Sequence, residues 1–409
     1  MKSFFFTLLL LASLATHAQN AAFEAFDKKQ GELFYKAYEQ RNPQEYEKLM
    51  KEYLAIYNKL DQKEQKQYAR EVAGAYYDLS CTYSLLNDKT PAIESLEKSI
   101  AFGWYNYSHI LQDSDLDNIR NEERFKAAIA PLRNVGDYQY ILRKAAKYNP
   151  ADQRSLPKFT YQSADDPNLV ALRKAFNLDS IAGEGSDVLK ILNLCHWIHT
   201  LIPHDGNHDN PVVKNAMSMI RECKQDNRGL NCRGLATVLN ECYLSLGIRS
   251  RLITCLPKDS LGVDMDCHVI NMVFVPSLDK WIWVDPTFDA YVMNEKGDLL
   301  SIEEVRQRII DDQPLIINPN ANWNNRTSQN KEYYLFTYMA KNLYLLECPV
   351  NSQYDLETRE KGKDVAYIQL LPLDYFKQGP DKEERLLGEK GRIIQYKTNN
   401  PALFWAKPQ

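Results

Sequence analysis

One ordered pattern in the middle of the chain constrains the fold most. Cys232-Arg233-Gly234-Leu235-Ala236-Thr237-Val238-Leu239-Asn240-Glu241-Cys242-Tyr243-Leu244-Ser245-Leu246 carries apolar residues at helical spacing and stops at Gly247, the residue best suited to a helix C-terminus. Three β-like runs follow: Arg249 to Leu256, His268 to Val275, and Trp281 to Val284. A helix followed by antiparallel strands is an α+β order and excludes alternating βαβ units.

The remaining organisation is read around that core. Phe23 to Arg143 is helical in pattern, and Ala73 to Tyr105 looks like a tetratricopeptide repeat. There Ser80, Tyr83, Ala92, Leu96 and Ser99 fall where that helix pair takes small or aromatic residues. Asn87-Asp88 makes the turn, and Pro91 suits the first turn of the second helix. A weaker unit with a helix over Glu122 to Leu132 follows. Pro150 and Pro157 mark a boundary within Lys144 to Gln162. Ser186 or Asp187 caps a helix through Leu189, Leu192, Trp197 and Ile198, which ends before Pro203 and Gly206. The tail from Asn330 mixes a Tyr-rich stretch, Tyr333 to Tyr344, with strand-like pieces such as Ile393-Ile394-Gln395-Tyr396. The expected domains are therefore a leader over 1–18, a helical region over 19–150, a catalytic core over 160–320 and a β-rich region over 321–409.

The leader is an address. Lys2 precedes the apolar stretch Phe4 to Leu14, and Ala15-Thr16-His17-Ala18 offers small residues at the cleavage positions. That stretch is too short to span a bilayer, so the expectation is an exported protein, periplasmic or secreted, with no membrane span. A net charge of −4 over 409 residues provides no basic field for nucleic acid. The eight cysteines include no CxxC pair, and a chain this long does not need disulfides to fold. Cys267, beside His268, could still bond to Cys255 on a neighbouring strand.

Chemistry gathers at Cys232, His268 and Asp285. Gly229-Leu230-Asn231 delivers Cys232 to a helix N-terminus, where free N–H groups and the dipole favour a thiolate and can meet an oxyanion. His268 is the only histidine C-terminal to Cys232. Asp285 ends Trp281-Ile282-Trp283-Val284, so two adjacent antiparallel strands can set it beside His268 to orient the imidazole. Taken singly, each has a plainer reading: a small buried cysteine, a hydrogen-bonded core histidine, a turn aspartate before Pro286.

Asn231-Cys232-Arg233-Gly234-Leu235-Ala236 with Leu246-Gly247-Ile248-Arg249-Ser250-Arg251 resembles the nucleophile helix and following strand of the transglutaminase-like superfamily. Cys267-His268-Val269-Ile270-Asn271 resembles its histidine strand, and Trp281-Ile282-Trp283-Val284-Asp285-Pro286-Thr287 its W-x-x-x-D-P-T close. The resemblance covers Asp187 to Leu315. It implies a papain-like α+β core, a Cys-His-Asp triad without metal or organic cofactor, and attack on amide or ester carbonyls through a thioester. The chain departs from the family's frequent H-x-W, since Ile270 stands in that place. The upstream side chain that completes an oxyanion hole is not fixed by spacing; Asn231, Gln225 and Trp197 are candidates.

Cys195, His196, His199, His204 and His208 crowd a short segment and raise zinc as a competing reading. Pro203 and Gly206 break any helix that would align them, which favours a loop bordering the cleft, with His204 and His208 contacting substrate. The preferred function is an exported cysteine hydrolase, a thiol peptidase or amidase acting on peptide or peptidoglycan-type amides. The alternatives are a binding or assembly module with a protein partner at the helical repeat, and a cross-linking acyl transferase.

Overall fold

The computed structural model describes residues 23–258 and 266–408, so the leader lies outside the described residues. The chain divides into two compact units, Met1–Asp137 and Tyr138–Gln409.

The first unit is helical. A helix over 23–39 precedes Pro43–Tyr57, Gln62–Gln67, Ala69–Leu85 and Lys89–Ala101. The last two form the pair expected from the repeat offsets, turning through Asn87 at a φ of 60°. Small residues let them approach closely: Ser80 Oγ donates to the Ala92 carbonyl at 2.8 Å and Ser99 Oγ to that of Ala73 at 2.7 Å. Helix Glu123–Ile129 falls within the weaker second segment.

The second unit is built on a seven-stranded sheet. Its strands are β1 (Ser250–Leu256), β2 (His268–Val275), β3 (Lys280–Val284), β4 (Leu345–Pro349), β5 (Val365–Leu370), β6 (Lys382–Leu386) and β7 (Arg392–Thr398). They lie in the order β6-β7-β5-β4-β1-β2-β3, all antiparallel except the β5–β7 pair. The C-terminal strands thus continue the sheet of the central domain instead of folding apart, because β4 pairs with β1 through Cys255–Leu346. Lys144 to Gln162 also lies inside this unit: the Asn149 N–H bonds the Asn399 carbonyl at 2.9 Å, and Thr160 pairs in register with Asn351.

Alternation along the strands sorts the core into two layers. Val273, Val275, Ile282 and Val284 face three helices, α1 (Asp187–Leu201), α2 (Ala216–Asp226) and α3 (Cys232–Ser245), which supply Ile191, Ile198, Met219 and Leu239. Ile270, Met272, Trp281 and Trp283 face the other way, onto Val305, Ile309, Tyr334 and Met339. Residues His268 and Asp285 share this second face by the same alternation.

Candidate active site

Residue Cys232 opens α3. Asn231 caps the helix, its Oδ1 accepting the Gly234 N–H at 3.2 Å and the Asn210 amide at 2.7 Å, while the Asn231 N–H bonds Asn210 Oδ1 at 3.0 Å. Gly234 is required for that clamp, since a Cβ there would stand 2.6 Å from Asn210 Oδ1. Capping thus fixes the thiol at the positive end of the helix dipole.

The β2–β3 register, with Asn271 opposite Val284, sets Asp285 across from Ile270 and diagonal to His268. The diagonal is closed by a 2.7 Å bond between His268 Nε2 and Asp285 Oδ2, with both side chains fully buried. Asp285 is held on every side. Its Oδ1 accepts the Thr287 N–H at 2.8 Å, and its Oδ2 also accepts the Tyr334 hydroxyl at 2.7 Å. Tyr334 in turn accepts the Trp283 indole N–H at 3.0 Å. The Tyr338 hydroxyl lies 3.2 Å from His268 Nδ1. Both tyrosines come from the π-helical segment Glu332–Met339, where residues four apart share one face.

Electrostatics follow from these contacts. Burial opposes a charged imidazole, but the Asp285 carboxylate outweighs it and raises His268 to about 10. Burial likewise opposes a thiolate. Hydrogen bonds from His204 and His268, the imidazolium charge and the Val269 N–H outweigh it and bring Cys232 down to about 6. The other seven thiols are all pushed up, by burial first. All eight cysteines, Cys255 and Cys267 included, are free.

The remaining candidates separate. His204 reaches the thiol because Leu230, two residues before Cys232, bridges to it in parallel, with the Leu230 N–H bonding the Pro203 carbonyl at 3.1 Å and the Asp205 N–H bonding that of Leu230 at 2.8 Å. His208 is exposed and bonds Asp205 at 2.7 Å. Trp197 packs on Phe176 among the helices, Gln225 is exposed, and Ile270 fills the core beneath the site. The crowded histidines go to different partners. His196 bonds Asp289 at 2.7 Å, and the two nitrogens of His199 meet the Pro286 carbonyl and Asn322 Oδ1 at 3.1 and 3.0 Å. Among the described residues, the ligand-type atoms that converge are those of Cys81, Asp113 and Asp115 in the helical unit.

Sequence reasoning did not place Tyr334, Tyr338 or Trp323, whose indole N–H donates to His204 Nδ1 at 3.3 Å, at the site, and it left Trp283 unassigned although strand alternation sets it on the face of Asp285. The four-residue spacing of Tyr334 and Tyr338 in a Tyr-rich stretch was the signal available for the tyrosines.

Residues 174–286 match the family model of the transglutaminase-like superfamily, so the chain carries a transglutaminase-like domain. The match supports a thiol-dependent enzyme, hydrolase or transferase. One similar solved structure is "a Putative Cysteine Protease from Cytophaga hutchinsonii", 14% identical, with a TM-score of 0.23, covering 39% of this chain and 51% of that one. The chain therefore spans about half the length of that structure. No curated protein matches.

Proposed function

We propose that this protein is an exported cysteine hydrolase that cleaves amide bonds through a thioester. Cys232 is the nucleophile, His268 the general acid and base, and Asp285 the residue that orients the imidazole. One observation carries the reading: Cys232 opens α3 beside a buried His268–Asp285 pair joined at 2.7 Å, and among the eight cysteines its thiol alone is lowered, to about 6. Perturbation toward a reactive state at one cysteine points to use of that cysteine.

The chemistry then runs in two halves. The Cys232 thiolate adds to the amide carbonyl carbon, and the negative charge moves to the carbonyl oxygen, near the N–H groups at the start of α3. The intermediate collapses to a thioester as His268 Nδ1–H gives its proton to the departing amine. Neutral His268 next takes a proton from water, whose oxygen attacks the thioester carbonyl. Collapse releases the carboxylic acid and returns the thiolate and imidazolium. Asp285 keeps its charge and holds Nε2, so Nδ1 remains the working nitrogen. Peptides or peptidoglycan-type amides are the substrate class, met after export through the N-terminal leader. The helical unit would serve as a docking module for a protein partner.

The test is the rate of iodoacetamide labelling at each thiol from pH 5 to 8, located by mass spectrometry, with Cys232→Ala assayed on peptide and peptidoglycan amides. Fast labelling of Cys232 at pH 6 and complete loss of turnover in the folded variant are expected. Labelling no faster than at Cys267, or retained turnover, would overturn the assignment.

A further inference from the structure

An addition intermediate at Cys232 needs a fixed donor facing its oxygen, and the side chains around the sulfur show which group supplies it. Asn231 is engaged with Gly234 and Asn210, and Trp197 lies elsewhere. His204 is carried to the nucleophile by its bridge to Leu230, two residues before Cys232. A neutral imidazole, however, carries one N–H and one lone pair, and a lone pair turned to the site would repel an oxyanion.

The hairpin Asn322–Ser328 resolves that choice. Asn324, in the left-handed region at a φ of 54°, clamps the His204 backbone: it accepts the His204 N–H at 2.6 Å and its amide donates to the His204 carbonyl at 3.0 Å. The neighbouring Trp323 Nε1–H donates to His204 Nδ1 at 3.3 Å. Indole nitrogen can only donate, so Nδ1 must present its lone pair and, in the neutral ring, the proton sits on Nε2, the nitrogen the indole leaves free. The hairpin lies beyond the matched segment 174–286.

We propose that His204 is the side-chain oxyanion donor through Nε2–H, and that Trp323 is a positioning residue that enforces this tautomer. The proposal rests on Cys232 being the nucleophile. In the step concerned, the S–C bond forms, the carbonyl π-bond breaks, and its electron pair settles on the oxygen that accepts from Nε2–H and from the α3 N–H groups.

Two probes separate the two readings in the full chain. p-Nitrophenyl acetate acylates Cys232 through an oxyanion, whereas iodoacetamide alkylates it by direct displacement without one. Comparison at the high-pH plateau of each profile removes any change in thiol ionisation. His204→Ala should lower the acylation plateau about 100-fold, the scale of one oxyanion donor, while alkylation changes little. His204→Gln, which retains an N–H, should recover most of the loss. Trp323→Phe should lower acylation about 5-fold, short of the loss for a whole donor, and the ¹⁵N signals of His204 should move from the Nε2–H tautomer toward a mixture. An unchanged acylation-to-alkylation ratio in His204→Ala, or an Nδ1–H tautomer in the wild-type protein, overturns the proposal. Slow reaction of wild-type Cys232 with both probes would instead mean that the nucleophile assignment has failed.

Discussion

Tyr334 and His268 bond the same atom, Oδ2 of Asp285, each at 2.7 Å. The aspartate therefore divides one oxygen between the imidazole and a phenol, while its other oxygen is occupied by the Thr287 N–H. Tyr334 is itself fixed by Trp283, which stands two residues before Asp285 on the same face of β3. A chain of four side chains thus sets the angle of the imidazole.

Removing the shared hydroxyl should be felt in stability. Tyr334→Phe deletes a hydrogen bond to a buried carboxylate and leaves the Trp283 indole N–H without its acceptor. The expected loss is about 1.5–3 kcal/mol in urea unfolding, with turnover also reduced as Asp285 gains freedom. A loss near zero would mean that water replaces the phenol without cost.

The thiol and imidazole should give a bell-shaped pH profile. Cys232, lowered from 9.0 to about 6, stabilises the folded state fully above 9 and loses that contribution as pH falls through about 6. His268, raised from 6.5 to about 10, contributes fully below 6.5 and loses it as pH rises through about 10. Turnover should accordingly rise near pH 6 and decline near pH 10, as apparent values of the pair. In His268→Ala the midpoint of Cys232 alkylation should move upward, since burial persists while two of the influences lowering it are gone. An unmoved midpoint would show that His268 does not set the thiol.

Beside Cys232, Arg233 donates to Glu357 at 2.6 Å and to Thr254 at 2.7 Å, and Tyr367 also donates to Glu357 at 3.0 Å. Burial favours the protonated acid, yet Arg233 and Tyr367 outweigh it and hold Glu357 below its ordinary 4.5. Arg233→Met strands a buried carboxylate and should cost about 3 kcal/mol at neutral pH. The wild-type contribution exists above pH 4.5 and is lost below it as Glu357 takes a proton. The gap between the two proteins in chemical denaturation should therefore narrow in acid; a constant gap would assign the loss to packing.

A glycine controls the approach of His204. A Cβ on Gly229 would stand 2.4 Å from the Pro203 carbonyl oxygen and 2.8 Å from Asp205 Cβ. Gly229→Ala must therefore push apart the two segments that bring His204 to Cys232. A stability loss of about 1–3 kcal/mol is expected from that strain, with slower acylation of Cys232 by p-nitrophenyl acetate. Unchanged acylation would mean that the segments relax together.

Local pattern determined a good deal. Helical periodicity ending at Gly247 delivers α3 with Cys232 at its start, and the β-like runs deliver β1, β2 and β3 to within a residue of their ends. Two-residue alternation puts His268 and Asp285 on one face once β2 and β3 pair, so the placement of Cys232, His268 and Asp285 on their elements is legible without coordinates. Partner choice over long separations is not. Tyr334 is 49 residues from Asp285, and Trp323 is 119 from His204. No local periodicity records which distant hairpin or helix end will close over a sheet, because those contacts form only when the chain buries its second face. For the same reason β4 to β7 read as a separate region, although β4 pairs edge to edge with β1. Local sequence pattern places Cys232, His268 and Asp285 on their elements; tertiary packing decided which distant side chains hold them, because those contacts form only on folding.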